Sequence, residues 1–434
     1  MEQTLQLNNT VEQSASLWRN PTAWLRGHQL SRDYWVFFTA AFFFDFGFAV
    51  YVFLFNLFLL DAHFNERAIG LIGSAGMIGS VAGTLPVGLL AKKYGLRPIL
   101  VVCFTAAPAL GVLRLFLMSQ SAQICVGFLF GLSMSLWAVC FLPAIARSTT
   151  EANRQSAFSL ITSAAIGTAM LGGIVCAYVP QWLRPRGYAM QPVDMKRSML
   201  CASCVIAVTG LFAVLRMKRS ETPVAEVIET VSQTQIVWWR RRPDPFLMRF
   251  LPAMALWTVV VTSFNPFANI YLSKVLHVPF VRIGFIFSAA QMIQLITGLL
   301  TPLLFRLMGL INGVIATQMA AALLIASLAG THNPQIAVIF YLVFSAVQWM
   351  AAPGMYNLLM SRVPDSERTT AASAMMFCNA IVGAVASAAT GTLFAKFGYP
   401  PIMMAIAAIA VFSGIATKAL IGRRGTCEPT LSEG

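Results

Sequence analysis

Charge is scarce in this chain. Asp, Glu, Lys and Arg make up 11% of its 434 residues, less than half the roughly 25% of an average soluble domain. A water-facing globular domain is therefore excluded as the main architecture. Acids are scarcer still, at 16 against 30 Lys and Arg, and there are only 4 histidines. His28, His63, His277 and His332 show no paired-histidine metal spacing. There is also no G-x-x-x-x-G-K-(S/T) phosphate loop and no soluble catalytic constellation. The sequence accordingly predicts no enzyme, no metal site and no cofactor, and any active transport would run on a gradient rather than on ATP. Most of the eight cysteines lie within apolar segments, where a thiol behaves as a small hydrophobe. The pair at Cys201-x-x-Cys204 is thus not expected to be a redox or metal site.

Apolar residues are abundant instead: 58% are hydrophobic, with 32 Phe and 21 Met. The run Tyr34–Leu60 lies between Asp33 and Asp61 and holds one charge, Asp45. Such a run predicts a membrane-spanning helix about 40 Å long. Asp45 falls about 17 Å along it, near the midplane, where an unpartnered carboxylate costs several kcal/mol. Further apolar segments cover 68–91, 97–118, 121–146, 156–180 and 198–215, then 250–276, 282–305, 309–329, 335–360, 370–395 and 399–421. The chain thus divides into a tail (1–33), six spans (34–215), a polar linker (216–249), six more spans (250–421) and a second tail (422–434). Trp18, Trp24 and three arginines in the first tail fit a short interfacial segment or a loosely ordered tail.

The net charge of +14 is not a nucleic-acid signal. With the N-terminus inside, inside segments carry 21 Lys and Arg and outside loops eight, as the positive-inside rule requires. Both termini are therefore expected in the cytoplasm of a multi-pass protein of the cell (inner) membrane. The basic outer segment Arg184–Arg197 runs against the rule.

The two halves repeat. At an offset of 214, Gly70, Ser74 and Ala75 fall on Gly284, Ser288 and Ala289. Lys92 and Gly95 fall on Arg306 and Gly309, and Arg154 and Ser159 on Arg368 and Ser373. At 213, Asn56 falls on Asn269. Six spans repeated in the same orientation form a parallel repeat.

With this repeat, the chain resembles the major facilitator superfamily over nearly its whole length. The loop after span two reads Gly88-Leu-Leu-Ala-Lys92-Lys93-Tyr-Gly95-Leu-Arg97. It is similar to the family's G-x-x-x-D-(R/K)-x-G-x-(R/K), except that Lys92 stands where the family has Asp. The resemblance implies an all-α fold of twelve helices in two six-helix bundles related by a pseudo-twofold axis. It further implies a gating loop at Gly88, Lys92, Lys93, Gly95, Arg97 and Arg306, and puts the family's Asp-based latch in doubt. The loops holding Arg147, Glu151 and Arg154, and Arg362, Glu367 and Arg368, resemble the family's charged loops after spans four and ten. A gating clamp there competes with simple solvated charge runs. Span five carries Gly167, Gly172 and Gly173 but no Gly-Pro pair, which lowers the drug-antiporter reading.

Asp45 is the only acid within an apolar span. It is expected to be a proton site or the counter-charge of a cationic solute, against a structural carboxyl bonded to neighbouring hydroxyls. Arg114 lies about 26 Å along span three from Arg97. It would snorkel to the outer interface or bind an anion, and its depth differs by about 9 Å from that of Asp45. The resemblance implies a central cavity lined by spans one, four, seven and ten. Its candidates are Asn56, Trp137, Trp257, Asn265, Asn269, Gln348, Trp349, Tyr356 and Asn357, with Gln291 and Gln294 on one face of span eight. Interhelical hydrogen bonds and interfacial Trp are the competing explanation for each.

The expected function is a monomeric secondary transporter. It would move a small organic solute through the lipid bilayer by rocking two halves, with the proton as coupling ion through Asp45. Uptake and efflux stay open. The rival is a same-fold receptor or lipid-handling protein, which an apolar lateral opening would favour.

Overall fold

The computed structural model describes residues 30–183, 191–217, 245–363 and 367–421. Most of both expected tails and of the linker lie outside these residues. Twelve helices follow in order: α1 Arg32–Asp61, α2 Glu66–Tyr94, α3 Leu96–Phe116, α4 Gln120–Ser148, α5 Glu151–Leu183 and α6 Pro192–Arg216; then α7 Pro245–Lys274, α8 Phe280–Met308, α9 Leu310–Gly330, α10 Pro334–Arg362, α11 Arg368–Phe397 and α12 Tyr399–Ile421. All twelve contain a stretch long and apolar enough to cross a membrane. Helices suit a bilayer because every backbone polar group is bonded within its own segment.

The starts and stops are local. Ser31, Asn65 and Ser119 accept hydrogen bonds from the amides of Tyr34, Ala68 and Ala122, capping α1, α2 and α4. Gly95 (φ 81°) and its repeat equivalent Gly309 (φ 77°) turn the chain between α2 and α3 and between α8 and α9, a backbone region that glycine enters without strain. His63 (φ 64°) and His277 (φ 50°), also 214 residues apart, take left-handed conformations in the α1–α2 and α7–α8 turns.

The halves pack by one scheme. In the first, α1 lies against α5 and α6, α4 against α2 and α3, and α3 against α6. In the second, α7 lies against α11 and α12, α10 against α8 and α9, and α9 against α12. Across the halves, α2 meets α11 and α5 meets α8, with a smaller α1–α7 contact. Each contact maps onto its partner when the halves are exchanged, which is the pseudo-twofold relation.

We call the end bearing the start of α1 the terminal face and the opposite end the far face. At the far face one core joins both halves, running from Phe53, Leu57 and Ile72 to Phe267, Ile283 and Phe394. At the terminal face the core divides. Phe37, Phe44, Leu100 and Ile145 belong to the first half, whereas Phe250, Met254, Leu358 and Met375 belong to the second. The halves are packed together at one end and are separate cores at the other.

Three cations at the far face serve helix ends. Lys196 bonds Asp61, the last residue of α1, at 2.5 Å. Arg197 donates to the Leu115 carbonyl near the end of α3 at 3.2 Å and to Asp194 at 2.9 Å. Lys274 bonds Glu66 across the halves at 2.6 Å. Basic residues at helix C-termini oppose the negative end of the dipole, so part of the basic segment around Lys196 and Arg197 has a structural role.

Candidate functional site

The cleft between the two terminal-face cores is framed by α1, whose faces can be assigned from its neighbours. Gly47 packs on α6 at Ala207, Val50 on Gly172 of α5, and Phe44 on Trp137 of α4. Asn56 points at α7, where its amide donates to the Pro266 carbonyl at 2.7 Å. Asp45 precedes Asn56 by eleven residues, close to three full turns, and so shares its face. This face lies between α4 and α5 and looks across to the second half. Asp45 is partly exposed and has no hydrogen bond or ion pair among the described residues.

Opposite, the second half presents amides and hydroxyls. Gln348 of α10 is 7% exposed. Its Nε2 donates to Asn265 Oδ1 of α7 at 3.0 Å, while its Oε1 receives no donor. Asn265 is exposed. Thr258 donates to Asn379 Oδ1 of α11 at 2.8 Å, and Gln294 to Ser345 at 2.5 Å, tying α8 to α10. Trp349, Tyr356 and Asn357, at helical spacing, share an exposed face of α10. Gln291 is partly exposed on α8.

Other candidates sit elsewhere. Trp257, expected in the cavity, is 2% exposed in the joined core. Trp137 packs among Phe37, Phe44, Phe104 and Phe141, at ring distances of 4.9–5.8 Å. Asn56 and Asn269 are engaged across the halves, with Asn269 donating to the Phe53 carbonyl at 3.3 Å. Arg114 does not snorkel: it is 5% exposed. Its guanidinium carbon lies 3.9 Å from the centre of the Phe55 ring and 5.2 Å from that of Phe130. Its Nε donates to Gln123 Oε1 at 3.4 Å, and Gln123 donates in turn to the Arg114 and Leu117 carbonyls at 2.5 and 2.8 Å. Arg114 is therefore a cation held by rings and an amide inside the first half, away from the cleft face of Asp45. Asn379 was not foreseen, because α11 was not assigned to the cavity.

At the terminal face, Gly88 is buried beside the exposed Lys93. Arg97 donates to the Leu215 carbonyl. Arg97, Arg147, Asp33 and Tyr94 line a cleft of about 340 Å³. Arg306, Arg362 and Arg368 are exposed, and Arg154 and Glu367 partly so. The side chain of Glu151 lies outside the described residues.

Two six-helix halves share one core at the far face and have separate cores at the terminal face, an architecture found in membrane transporters. The chain belongs to the Major Facilitator Superfamily, whose pattern matches residues 37–387. No curated protein sequence matches it. The fold is similar to the crystal structure of the nucleoside transporter NupG, with TM-score 0.74, 14% identity, and coverage of 90% of this chain and 99% of that one. It is similar also to a D-xylose-proton symporter, with TM-score 0.70, 13% identity and coverage of 89% and 97%. A third likeness is to the inward open conformation of the xylose transporter XylE from E. coli, with TM-score 0.67, 14% identity and coverage of 89% and 95%.

Proposed function

We propose that the chain is a proton-coupled transporter of a small, neutral, polar organic solute, working by alternating access in the cell (inner) membrane with both termini in the cytoplasm. The observation that carries this is Asp45, the only acid within an apolar span, on the cleft face of α1 with no counter-charge among the described residues. A buried carboxyl without a partner takes up a proton, and one wetted by an open cleft releases it. Rocking the halves would alternate these conditions. The basic asymmetry favours the terminal face inside, and on that reading the described state would be inward-facing.

The solute class rests on the second half. Gln348 Oε1 has no donor and is covered in the described state; uncovered by rocking, it and the exposed Asn265 would offer an acceptor and a donor at one spot, which suits a hydroxyl of a sugar-like or nucleoside-like molecule. Trp349 and Tyr356 offer apolar faces. Similar structures of nucleoside and xylose transporters favour the same class. The test uses purified protein in liposomes, an imposed inward proton gradient, and a panel of labelled pentoses, hexoses and nucleosides. The proposal expects at least one solute to accumulate above protein-free liposomes and to be released by a protonophore. Uptake of none, or uptake indifferent to the protonophore, would contradict it.

A further inference from the structure

Four cross-half hydrogen bonds at the far face obey the sequence repeat at both ends. Asn56 donates to the Pro266 carbonyl at 2.7 Å and Asn269 to the Phe53 carbonyl at 3.3 Å. Donor and acceptor of the first bond, shifted by 213, become the donor and acceptor of the second with their halves exchanged. Ser74 donates to the Ala384 carbonyl at 2.5 Å and Ser288 to the Met170 carbonyl at 2.7 Å. These two bonds exchange in the same way at a shift of 214.

The backbone approach follows the same rule. A Cβ on Gly284 would stand 2.7 Å from the Gly173 carbonyl oxygen and 3.0 Å from the Ala177 Cβ. A Cβ on Gly70 would stand 2.6 Å from the Ser387 carbonyl oxygen and 3.1 Å from the Gly391 Cα. Gly70, Ser387 and Gly391 are the 214-residue counterparts of Gly284, Gly173 and Ala177. Small residues let helices approach this closely in a membrane, and the approach brings the serine hydroxyls onto the opposite backbone.

We propose that Asn56, Asn269, Ser74 and Ser288 are the far-face gate: two pseudo-symmetric pairs of side-chain-to-backbone hydrogen bonds that hold the halves together at that end and must break for it to open. All four acceptors are backbone carbonyls, which every residue supplies. The proposed gate rests on four donors and on small residues at the crossings, beside the Lys274–Glu66 ion pair that also spans the halves at this face. The two asparagines act on the conformational equilibrium rather than as solute ligands. This assignment depends neither on the solute nor on Asp45, so it stands or falls apart from the proposed coupling.

The experiment places spin labels at Arg67→Cys and Lys396→Cys, exposed sites on opposite halves at the far face, and measures their distance distribution by double electron–electron resonance. A neutral hydrogen bond nets about 0.5–1.5 kcal/mol, so Asn56→Ala or Asn269→Ala should each raise the ratio of long to short distances by about 2- to 12-fold. The double variant should approach the product. Ser74→Ala with Ser288→Ala tests the second pair independently. Gly284→Ala should shift the ratio the same way by wedging the seam while leaving every donor in place. A distribution unchanged from the parent in the asparagine pair and the serine pair, both verified as folded, would overturn the gate.

Discussion

Replacing Gln348 with Leu separates a structural amide from one held for a solute. Gln348 makes one hydrogen bond, to Asn265, worth about 0.5–1.5 kcal/mol net. Its Oε1 is buried without a donor, a state that costs about 1–3 kcal/mol. Leucine gives up the bond and removes the unmet acceptor. Asn265 loses little, because it is exposed and water can take its oxygen. The balance predicts folding stability unchanged or higher by about 1 kcal/mol. Binding should move the opposite way: if a solute hydroxyl donates to Oε1, its loss leaves that hydroxyl unmet and weakens affinity by about 1–3 kcal/mol, or roughly 5- to 150-fold. Thermal unfolding in detergent, with and without solutes from the transport panel, reads both quantities. A Gln348→Leu protein destabilised by 2 kcal/mol or more with parental solute affinity would refute the reasoning and make Gln348 an interhelical strut.

Lys196→Met should cost about 3 kcal/mol of stability, because the Lys196 and Asp61 side chains are 8% and 22% exposed and breaking a buried pair strands a charge. Lys274→Met should cost a comparable amount although the Lys274 side chain is 52% exposed, because it strands the Glu66 carboxylate, whose side chain is 4% exposed; a cost well below about 1 kcal/mol in detergent melts would contradict this. His63→Gly and His277→Gly should each raise stability by about 0.5–1 kcal/mol, relieving left-handed backbone at a non-glycine residue, and lowered melting temperatures would show that the imidazoles make compensating contacts. A cysteine placed at Ser232 should resist an impermeant maleimide added to intact cells, and labelling there would invert the topology.

The spans and the repeat were legible because bilayer thickness enforces long apolar runs and duplication left matched glycines, serines and asparagines in register. Asp45 was legible because a lone acid in such a run stands out. The asparagines were found, but not that their amides bond across the halves. Whether a polar helix face looks into a cleft or onto the other half depends on where the halves touch, and neither Asn56 nor Asn269 encodes that alone. Trp257 misled for a related reason: an aromatic on a cavity-lining helix packs inward as readily as it faces the cavity. Lys196 and Arg197 ran against the expected charge asymmetry, and the count does not register that Asp61 and the end of α3 use those charges. Asn379 was missed because the resemblance assigns the cavity to spans one, four, seven and ten, and its partner, Thr258, becomes adjacent only on folding.

Asp45→Asn tests the central claim most directly. Asparagine matches the neutral acid in size and hydrogen bonding but cannot carry a proton. In liposomes containing purified protein, the parent should accumulate its solute under an imposed proton gradient and also exchange internal for external solute without one. The account predicts that Asp45→Asn keeps the exchange and loses the accumulation. Accumulation at the parental level, with unchanged dependence on the gradient, would contradict it.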